Sequence, residues 1–438
     1  MTARAMTKPH RRGACPGLSA PMPTGDGLLV RLLPRGTIAL TAFAALCGAA
    51  QTHGNGVIEI TSRGSIQIRG LSEASAPQFA DTIARLDIAA ADGVPVLCNP
   101  LCGLDDEAIF DAAPFAENLR HRISQCGLAA RLSPKVSVVI DGGGAIGLEA
   151  IAADIRLRAQ GPRGDAVFAV SVGGDAARAF TLGRIKPAHG AETVLRLLDV
   201  IARYGRDARA RDIVAAEGAT VFGSSVEMLL LAPSCVSEAP ELDSRLRGNE
   251  RPGRSAIGTF SLQDGTLALG VGLAFGHADA DALRQLIETA GTCGATGLRT
   301  APERALLAIG LAPDSAAAFT AQAERLGFVI HAGDPRRKVI ACAGAPICAS
   351  AQIASRALAP AIAADAARFA GTIHISGCAK GCAHAARAAL TVVGTSEGCA
   401  LIANGSVRDM PFAVVPENEL RAAIADHVRQ HSREVALV

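Results

Sequence analysis

The chain repeats itself at a spacing of 240 residues, and this duplication limits the folds that it can adopt. Without gaps, Gly70-Leu71 matches Gly310-Leu311, and Arg85-Leu86 matches Arg325-Leu326. Phe79 and Phe319 follow the same spacing, as do Ser75-Ala76 and Ser315-Ala316. One constant offset across this stretch predicts a single structural unit that is used twice.

The first copy alternates strand and helix signals. An apolar run at 28–33 predicts a strand, and 41–51 has the spacing of a helix. Residues 57–61 and 65–69 alternate apolar with polar side chains, which predicts a half-buried hairpin, and 76–86 again predicts a helix. Two such copies predict one pseudo-symmetric α+β domain.

A second kind of unit follows each copy. The apolar strands predicted at 136–140 and 372–375 lead into Asp141-Gly142-Gly143 and Ser376-Gly377-Cys378, and a helix-rich stretch precedes each strand. We therefore predict four units joined by a linker rich in Pro, Glu, Asp and Arg: unit A (12–95), unit B (96–234), the linker (235–254), unit A′ (255–332) and unit B′ (333–438).

The composition excludes several classes of protein. Hydrophobic residues make up 49% and charged residues 19% of the 438 residues, so the chain is not mainly disordered. A net charge of +2 and an aromatic content of 3% argue against nucleic-acid and membrane binding. The early apolar run at 37–50 is shorter than the roughly 20 residues that span a bilayer, and no secretory signal is visible. We expect a cytoplasmic protein with reduced thiols.

Four cysteines near the C-terminus carry the chemistry. Cys342 and Cys348 are separated by five residues, and Cys378 and Cys382 by three. Thiolates select zinc, copper(I) or iron–sulfur clusters, and a five-residue gap disfavours structural zinc. Neighbouring glycines allow backbone N–H groups to approach sulfur, and a helix that begins near Cys348 would add its positive end. We predict that these four residues bind one 4Fe–4S cluster rather than being ordinary buried cysteines.

A further cysteine pair lies in unit B. Cys98 and Cys102 precede Asp141-Gly142-Gly143, which replaces the second cysteine pair of unit B′. We interpret unit B as the copy without a cluster. The isolated cysteines at 47, 126, 235, 293 and 399 are interpreted as structural.

The two cysteine pairs resemble the cluster motif of the nitrite and sulfite reductase superfamily. The 240-residue repeat resembles the duplicated ferredoxin-like half-domain of that superfamily, and the segment 61–70 (TSRGSIQIRG) resembles its cofactor-binding signature. The resemblance extends over about 12–415. It implies an α+β fold in which duplicated ferredoxin-like half-domains are combined with two α/β cluster-type domains, in the order A-B-A′-B′.

Two further segments narrow the resemblance. Residues 12–17 (RGACPG) and 374–384 (HISGCAKGCAH) look most similar to a branch that acts on the tetrapyrrole precorrin-3A in aerobic cobalamin biosynthesis. This resemblance implies an oxygen-dependent monooxygenase that hydroxylates a ring carbon and closes a lactone. Such an enzyme needs O2 and an electron donor or reductase. The branch is associated with a 4Fe–4S cluster and with another iron centre, while the reductases of the superfamily bind sirohaem.

The sequence departs from the reductases at two positions that grip sirohaem. No arginine lies just before Asn99-Pro100, where the reductases have one, and only Lys135 remains of their Lys-x-Lys pair. These losses are compatible with a groove that releases its tetrapyrrole. We predict that Arg63, Arg69 and Lys135 bind the carboxylates of the substrate, Arg63 and Arg69 from one face of a strand. The alternative is a solvated sheet face.

Other functions remain open at this stage. The segment 142–147 matches G-x-G-x-x-G after an apolar strand, which is the fingerprint of a nicotinamide-dependent dehydrogenase. That fingerprint requires a helix directly after it, whereas 154–158 alternates as a strand does. A sirohaem reductase of the same superfamily is the main alternative. A simple electron-transfer protein explains the cysteines but not the duplicated scaffold.

Overall fold

A computed structural model of the protein describes residues 16–86, 88, 93–231, 253–384 and 386–435. Units A and A′ contain matching strands and helices. Unit A contains β1 (Met22–Thr24), β2 (Gly27–Leu32), β3 (Ile38–Ala39), α1 (Leu40–His53), β4 (Val57–Ile60), β5 (Ile66–Leu71) and α2 (Ser75–Ala84). Unit A′ contains β11 (Gly258–Ser261), β12 (Leu267–Gly272), β13 (His277–Asp279), α7 (Ala280–Thr292), β14 (Gly297–Ala301), β15 (Ala305–Leu311) and α8 (Ala316–Arg325).

Units B and B′ each begin with parallel strands. Unit B contains β6 (Val96–Cys98), α3 (Ala112–Gln125), β7 (Val138–Asp141), β8 (Ala153–Gln160), β9 (Val167–Gly174), β10 (Phe180–Ile185), α4 (Pro187–Arg203), α5 (Ala210–Glu217) and α6 (Thr220–Val226). Unit B′ contains β16 (Val339–Ala341), α9 (Ser355–Asp365), β17 (Ile373–Ser376), β18 (Ala388–Thr395), β19 (Gly398–Gly405), β20 (Ala413–Val415) and α10 (Leu420–Val435).

The two half-domains are interlocked because each contributes one strand to the sheet of the other. One sheet has the order β1-β2-β5-β4-β13, and the other has the order β11-β12-β15-β14-β3. His277 of β13 pairs with Glu59 of β4, and Ala39 of β3 pairs with Gly297 of β14. One hydrophobic core contains side chains of both copies, including Phe79. The duplicated α+β fold predicted from the repeat is therefore confirmed.

Units B and B′ have the same sheet topology. The orders are β6-β7-β8-β9-β10 and β16-β17-β18-β19-β20, with the first three strands parallel and the later pairs antiparallel. In unit B, Cys98 lies opposite Ile140, and in unit B′, Ala341 lies opposite Ile375. This shared register allows positions in the two units to be compared residue by residue.

The hairpin of unit A differs from its predicted form at Arg63. This residue lies in the turn between β4 and β5 and not on a strand face. The turn closes through Gly64, whose φ of 79° is a left-handed conformation that glycine adopts without steric cost. The prediction that Arg63 and Arg69 share one face of a strand is therefore wrong, because only Arg69 lies on β5. Gln67 and Arg69 of β5 do share a face.

Some predictions lie outside the described residues. These are the segment 12–15 of the superfamily resemblance, the isolated Cys235, and the linker apart from Gly253 and Arg254. The unit boundaries stay predictions. Within the described ranges, no helix combines the length and the apolar character needed to cross a membrane.

Candidate functional site

Cys342 and Cys378 meet at one edge of the unit B′ sheet. Cys342 directly follows β16, and Cys378 follows β17 by two residues. Because β16 and β17 are parallel neighbours, their C-terminal ends lie at the same edge. The backbone N–H of Gly377 donates to Cys342 Sγ at 3.1 Å. A donated N–H of this kind stabilises negative charge on the sulfur.

The loop that carries Cys348 folds back onto the same edge. The N–H of Cys348 donates to the carbonyl of Gly344 at 2.8 Å, and that of Gln352 donates to the carbonyl of Gly377 at 2.7 Å. The prediction of a helix near Cys348 was wrong, because α9 begins seven residues later at Ser355. The start of that helix instead lies beside Cys342, whose thiol is 3.6 Å from Ser355 Oγ.

A turn of unit A closes over Cys348. The N–H of Ala349 donates to the carbonyl of Gly25 at 2.8 Å, across the boundary between units A and B′. A Cβ atom at position 25 would clash with Cys348 Sγ, so only glycine allows this approach. The turn of unit A therefore packs directly against Cys348.

The thiols of Cys342 and Cys348 lie near enough to Cys378 to affect its ionisation. Burial raises the pKa of the Cys378 thiol, and the sulfurs of Cys342 and Cys348 raise it further. Cys382 is more exposed, and its charge acts on Arg69 of unit A. Among the residues that the structure describes, no three His, Cys, Asp or Glu side chains surround a single ion. A cluster distributes its thiolates over several irons, so its ligands need not meet at one point.

The equivalent edge of unit B is closed by hydrogen bonds. The shared register makes Asn99 the equivalent of Cys342, and its Oδ1 accepts from the N–H of Gly142 at 2.6 Å. Asp105 is the equivalent of Cys348, and its Oδ2 accepts from the N–H of Ala145 at 2.6 Å. A carboxamide and a carboxylate thus hold the glycine loop directly, where unit B′ places thiols.

The remaining equivalences exclude the second cysteine pair from this arrangement. Gly143 and Gly147 occupy the positions of Cys378 and Cys382. Cys98 and Cys102 align with Ala341 and Ala345. They therefore do not occupy ligand positions of the duplicated edge.

Arg63 connects unit A to unit B. Its Nη2 donates to the carbonyl of Ala152, and its Nη1 lies 3.3 Å from Ser137 Oγ. Lys135 lies two residues before Ser137 and is exposed. The structure thus brings Arg63 to the segment that carries Lys135, at the boundary between the two units.

Arg69 lies on the opposite side of unit A and is buried. Its Nε and Nη2 donate to the two carboxylate oxygens of Asp26, each at 2.8 Å, and its Nη1 is 3.8 Å from Glu59. Burial alone would lower the pKa of Arg69, but the hydrogen bonds that it donates to Asp26 and the charge of Glu59 raise it overall. The planar fork of Arg69 is therefore filled by Asp26, while its charge acts towards Cys382.

Glu59 links the sheet of unit A to unit B′. It forms a partly buried ion pair with Arg356 of α9 at 2.6 Å and accepts from Gln67 Nε2 at 3.2 Å. Sequence analysis missed this residue, because its partner lies 297 positions away.

Arg304 is a second site residue that sequence analysis missed. It lies in the turn between β14 and β15, with a φ of 63°, where its charge acts on His374 and His384. Burial lowers the pKa of Arg304 to about 10. The 240-residue repeat could have drawn attention to this turn, because the offset aligns Glu303-Arg304 with Arg63-Gly64, the turn of unit A that carries Arg63.

Two histidines lie against the edge that carries the cysteines. The rings of His374 and His384 are edge-to-face at 5.6 Å, and His374 is fully buried. Neither ring nitrogen of His374 has a hydrogen-bond partner among the described residues. Burial lowers the pKa of His374 to about 3, with smaller effects from His384 and Arg304, so the ring is neutral at pH 7.

The glycine-rich segment 142–147 of unit B is followed by a strand, as the alternation at 154–158 predicts. No helix follows Gly147 within the described part of unit B until after β8, which begins at Ala153. The backbone N–H groups of Gly142, Gly143 and Ala145 are already hydrogen-bonded to the side chains of Asn99, Asp141 and Asp105. The segment therefore lacks both features of a dinucleotide site.

Comparisons with known proteins agree with this geometry. Residues 20–86 match the family described as the nitrite/sulfite reductase ferredoxin-like half domain. The fold resembles the solved structure of the Mycobacterium tuberculosis NirA protein, with a TM-score of 0.71 and 19% identity over 92% of this chain and 80% of that chain. A curated relative, "Precorrin-3B synthase" from Sinorhizobium sp, is 37% identical over 420 residues, which are 95% of this chain and 88% of the relative. The chain therefore belongs to the precorrin-3B synthase family of enzymes, within the nitrite and sulfite reductase superfamily.

Proposed function

We propose that this chain is an iron–sulfur monooxygenase that hydroxylates precorrin-3A with O2 and closes a lactone. The name of the curated relative supports the tetrapyrrole substrate. The observation that carries the cofactor is the meeting of Cys342, Cys348 and Cys378 at an edge where unit B has Asn99 and Asp105 instead.

The residues present fit a 4Fe–4S cluster. Cys342, Cys348, Cys378 and Cys382 would hold it, and the N–H of Gly377 would stabilise the negative charge of its sulfurs. Gly25 allows the turn of unit A to pack against Cys348, because a side chain at position 25 would clash with its sulfur. When bound, such a cluster supplies electrons one at a time. Ser355 at the start of α9 places the positive end of that helix beside Cys342.

The reaction determines what else the enzyme needs. One atom of O2 enters the substrate, and the other requires two electrons and two protons to leave as water. An external electron donor or reductase is therefore part of the proposal. Besides the cluster, the proposed cofactor content includes a second iron centre or a sirohaem. Because the four ligand thiols must stay reduced, we place the enzyme in the cytoplasm.

The substrate is expected to bind along the boundary that Arg63 and Lys135 share. Precorrin-3A is a polyanion, while the chain has a net charge of only +2, so local cations must position it. Arg63 and Lys135 bring two positive charges to one segment of unit B. Arg69 contributes through its charge near Cys382, because Asp26 fills its hydrogen-bonding fork.

The cofactor part is tested by an anaerobic visible spectrum with iron and sulfide analysis. The protein should show a broad thiolate-to-iron band, and Cys348→Ser should abolish it. The matched control is the Cys98→Ser/Cys102→Ser double variant, which should keep full iron and sulfide. Loss of the cluster in the control but not in Cys348→Ser would overturn the ligand assignment. Sharp sirohaem bands would instead favour a reductase of the same superfamily.

The substrate part is tested with Arg63→Ala and Lys135→Ala in cluster-loaded protein. A charge-assisted hydrogen bond contributes about 1.5–3 kcal/mol, so precorrin-3A affinity should fall roughly ten- to a hundredfold in each variant. Arg203→Ala is the control, because this exposed arginine of α4 pairs with Asp199 of its own helix. Unchanged affinity and hydroxylation in both test variants would place the substrate elsewhere.

A further inference from the structure

Cys98 and Cys102 form a close pair that the proposed reaction does not use. Their Sγ atoms are 3.1 Å apart, at the end of β6 and in the loop that follows it. The N–H of Cys102 donates to the carbonyl of Asn99 at 3.0 Å, so the intervening turn holds both thiols on one side. A disulfide requires sulfurs about 2.05 Å apart, which a small side-chain rotation in this turn can provide.

Two guanidinium groups surround the pair. Arg299 of β14 donates from Nη1 to the carbonyls of Pro100 and Cys102, both at 2.9 Å. Its Nε donates to Thr37 Oγ1 at 2.7 Å, so these hydrogen bonds go to neutral oxygens. Arg120 of α3 donates to the carbonyl of Val96 at 2.8 Å. Arg120 also pairs with the exposed Glu117 at 3.1 Å, but the charges of both arginines still lower the pKa of Cys98, so the surroundings of the pair favour a thiolate.

The ionisation of the two thiols is coupled. The hydrogen bond from Cys102, together with the charges of Arg120 and Arg299 and against the effect of burial, lowers the pKa of Cys98 to about 7. The same hydrogen bond raises the pKa of Cys102, with burial as the second cause. One thiolate and one thiol are therefore the stable combination, as in known dithiol redox sites.

We propose that Cys98 and Cys102 are a redox-active dithiol that closes reversibly to a disulfide, with a low-molecular-weight disulfide of the glutathione class as its oxidant. The Cys98 thiolate attacks one sulfur of the oxidant and releases the first thiolate. Cys102 then loses its proton, which the first released thiolate takes up, and attacks Cys98 Sγ to release the second thiolate. The protein loses two electrons, and one disulfide is reduced to two thiols.

The surroundings determine the redox behaviour. Closing the disulfide removes the negative charge that faces Arg299. Burial already lowers the pKa of Arg299, so this arginine benefits from a negative charge nearby. Arg299 therefore stabilises the reduced state, which makes the disulfide easier to reduce. Because Arg299 belongs to unit A′ and its acceptors to unit B, oxidation changes a contact between these two units. This inference does not depend on the proposed substrate.

The test is to equilibrate the full, cluster-loaded chain anaerobically with mixtures of reduced and oxidised glutathione, quench with acid, alkylate and digest with trypsin. The peptide 86–120 contains Cys98 and Cys102 and no other cysteine. As the buffer becomes more oxidising, this peptide should become lighter by two hydrogen atoms and resist alkylation. Reduction should restore its original mass and its two alkylatable thiols. Cys126, which is exposed and outside the pair, serves as the internal control.

Variants assign the roles within the pair. Cys102→Ser should leave a stable mixed disulfide with glutathione at Cys98, whereas Cys98→Ser should leave Cys102 largely unreacted. Arg299→Met should slow alkylation of Cys98 at pH 7 by roughly fivefold if its pKa rises by about one unit, since the thiolate fraction then falls from about one half to about one tenth. Arg299→Lys should retain most of the wild-type rate. The proposal would be overturned if the folded chain kept both thiols alkylatable in excess oxidised glutathione. The urea-unfolded chain, which should form the disulfide under the same conditions, shows that the oxidant is active.

Discussion

The ion pair between Asp26 and Arg69 should contribute far more to stability than an exposed pair of the same geometry. The side chain of Asp26 is 0% exposed and that of Arg69 is 8% exposed. In Asp26→Ala, Arg69 keeps its charge but loses both hydrogen bonds to the carboxylate. The turn that contains Asp26 also carries Gly25, so the change affects the segment that covers Cys348.

The expected magnitude follows from burial. Removing one partner of a buried ion pair costs about 3–5 kcal/mol, because the other charge stays buried without compensation. Glu59, at 3.8 Å from Arg69, compensates in part and places the expected loss near the lower end. For a cooperative unit of roughly 150 residues, about 3 kcal/mol corresponds to a fall in Tm of roughly 6–12 °C.

The assay is thermal unfolding at pH 7, followed by circular dichroism at one fixed scan rate. Arg69 holds the pKa of Asp26 below its ordinary value, although burial alone would raise it. The contribution of the pair is therefore complete above about pH 4, the unfolded value, and is lost as the pH falls through the lower folded pKa. Measurements at pH 7 thus report the full effect.

The matched control is Asp365→Ala. Asp365 accepts two hydrogen bonds from Arg421 at 2.8 and 3.0 Å, but these side chains are 25% and 56% exposed. An exposed pair contributes about 0–1 kcal/mol. Equal Tm shifts in the two variants would refute the argument from burial. The Asp26→Leu/Arg69→Met double variant should recover much of the loss, because no charge then remains unpaired.

Two further predictions concern pH and cofactor binding. Burial lowers the pKa of His277 to about 4, with Arg356 adding to the effect, so the unfolded chain binds a proton there before the folded chain does. Stability should fall by on the order of 3 kcal/mol as the pH is lowered from about 6.5 to 4, and urea unfolding of His277→Phe should show a shallower dependence on pH. NADH should not bind to the segment 142–147, because the backbone N–H groups of this segment are already hydrogen-bonded to side chains. Calorimetry that showed NADH binding with micromolar affinity would contradict this prediction.

The sequence predicted the features that depend on local spacing. The 240-residue offset predicted two copies of one α+β unit, and the alternation at 154–158 predicted β8 instead of a dinucleotide-binding helix. The spacing of the four cysteines predicted a 4Fe–4S site, and the structure places Cys342 and Cys378 after two neighbouring parallel strands. These features are readable because helices and strands impose periods of 3.6 and 2 on the side chains they bury.

The tertiary structure decided which distant residues meet. The exchange of β3 and β13 between the half-domains leaves no sequence signal, because these strands have only two and three residues. Asp26 became the partner of Arg69 because the turn after β1 folds beside β5. Asn99 and Asp105 were identified as the equivalents of Cys342 and Cys348 only through the paired registers of units B and B′. A buried charge or polar group must find a partner, but the packing of the sheets determines which one lies within reach.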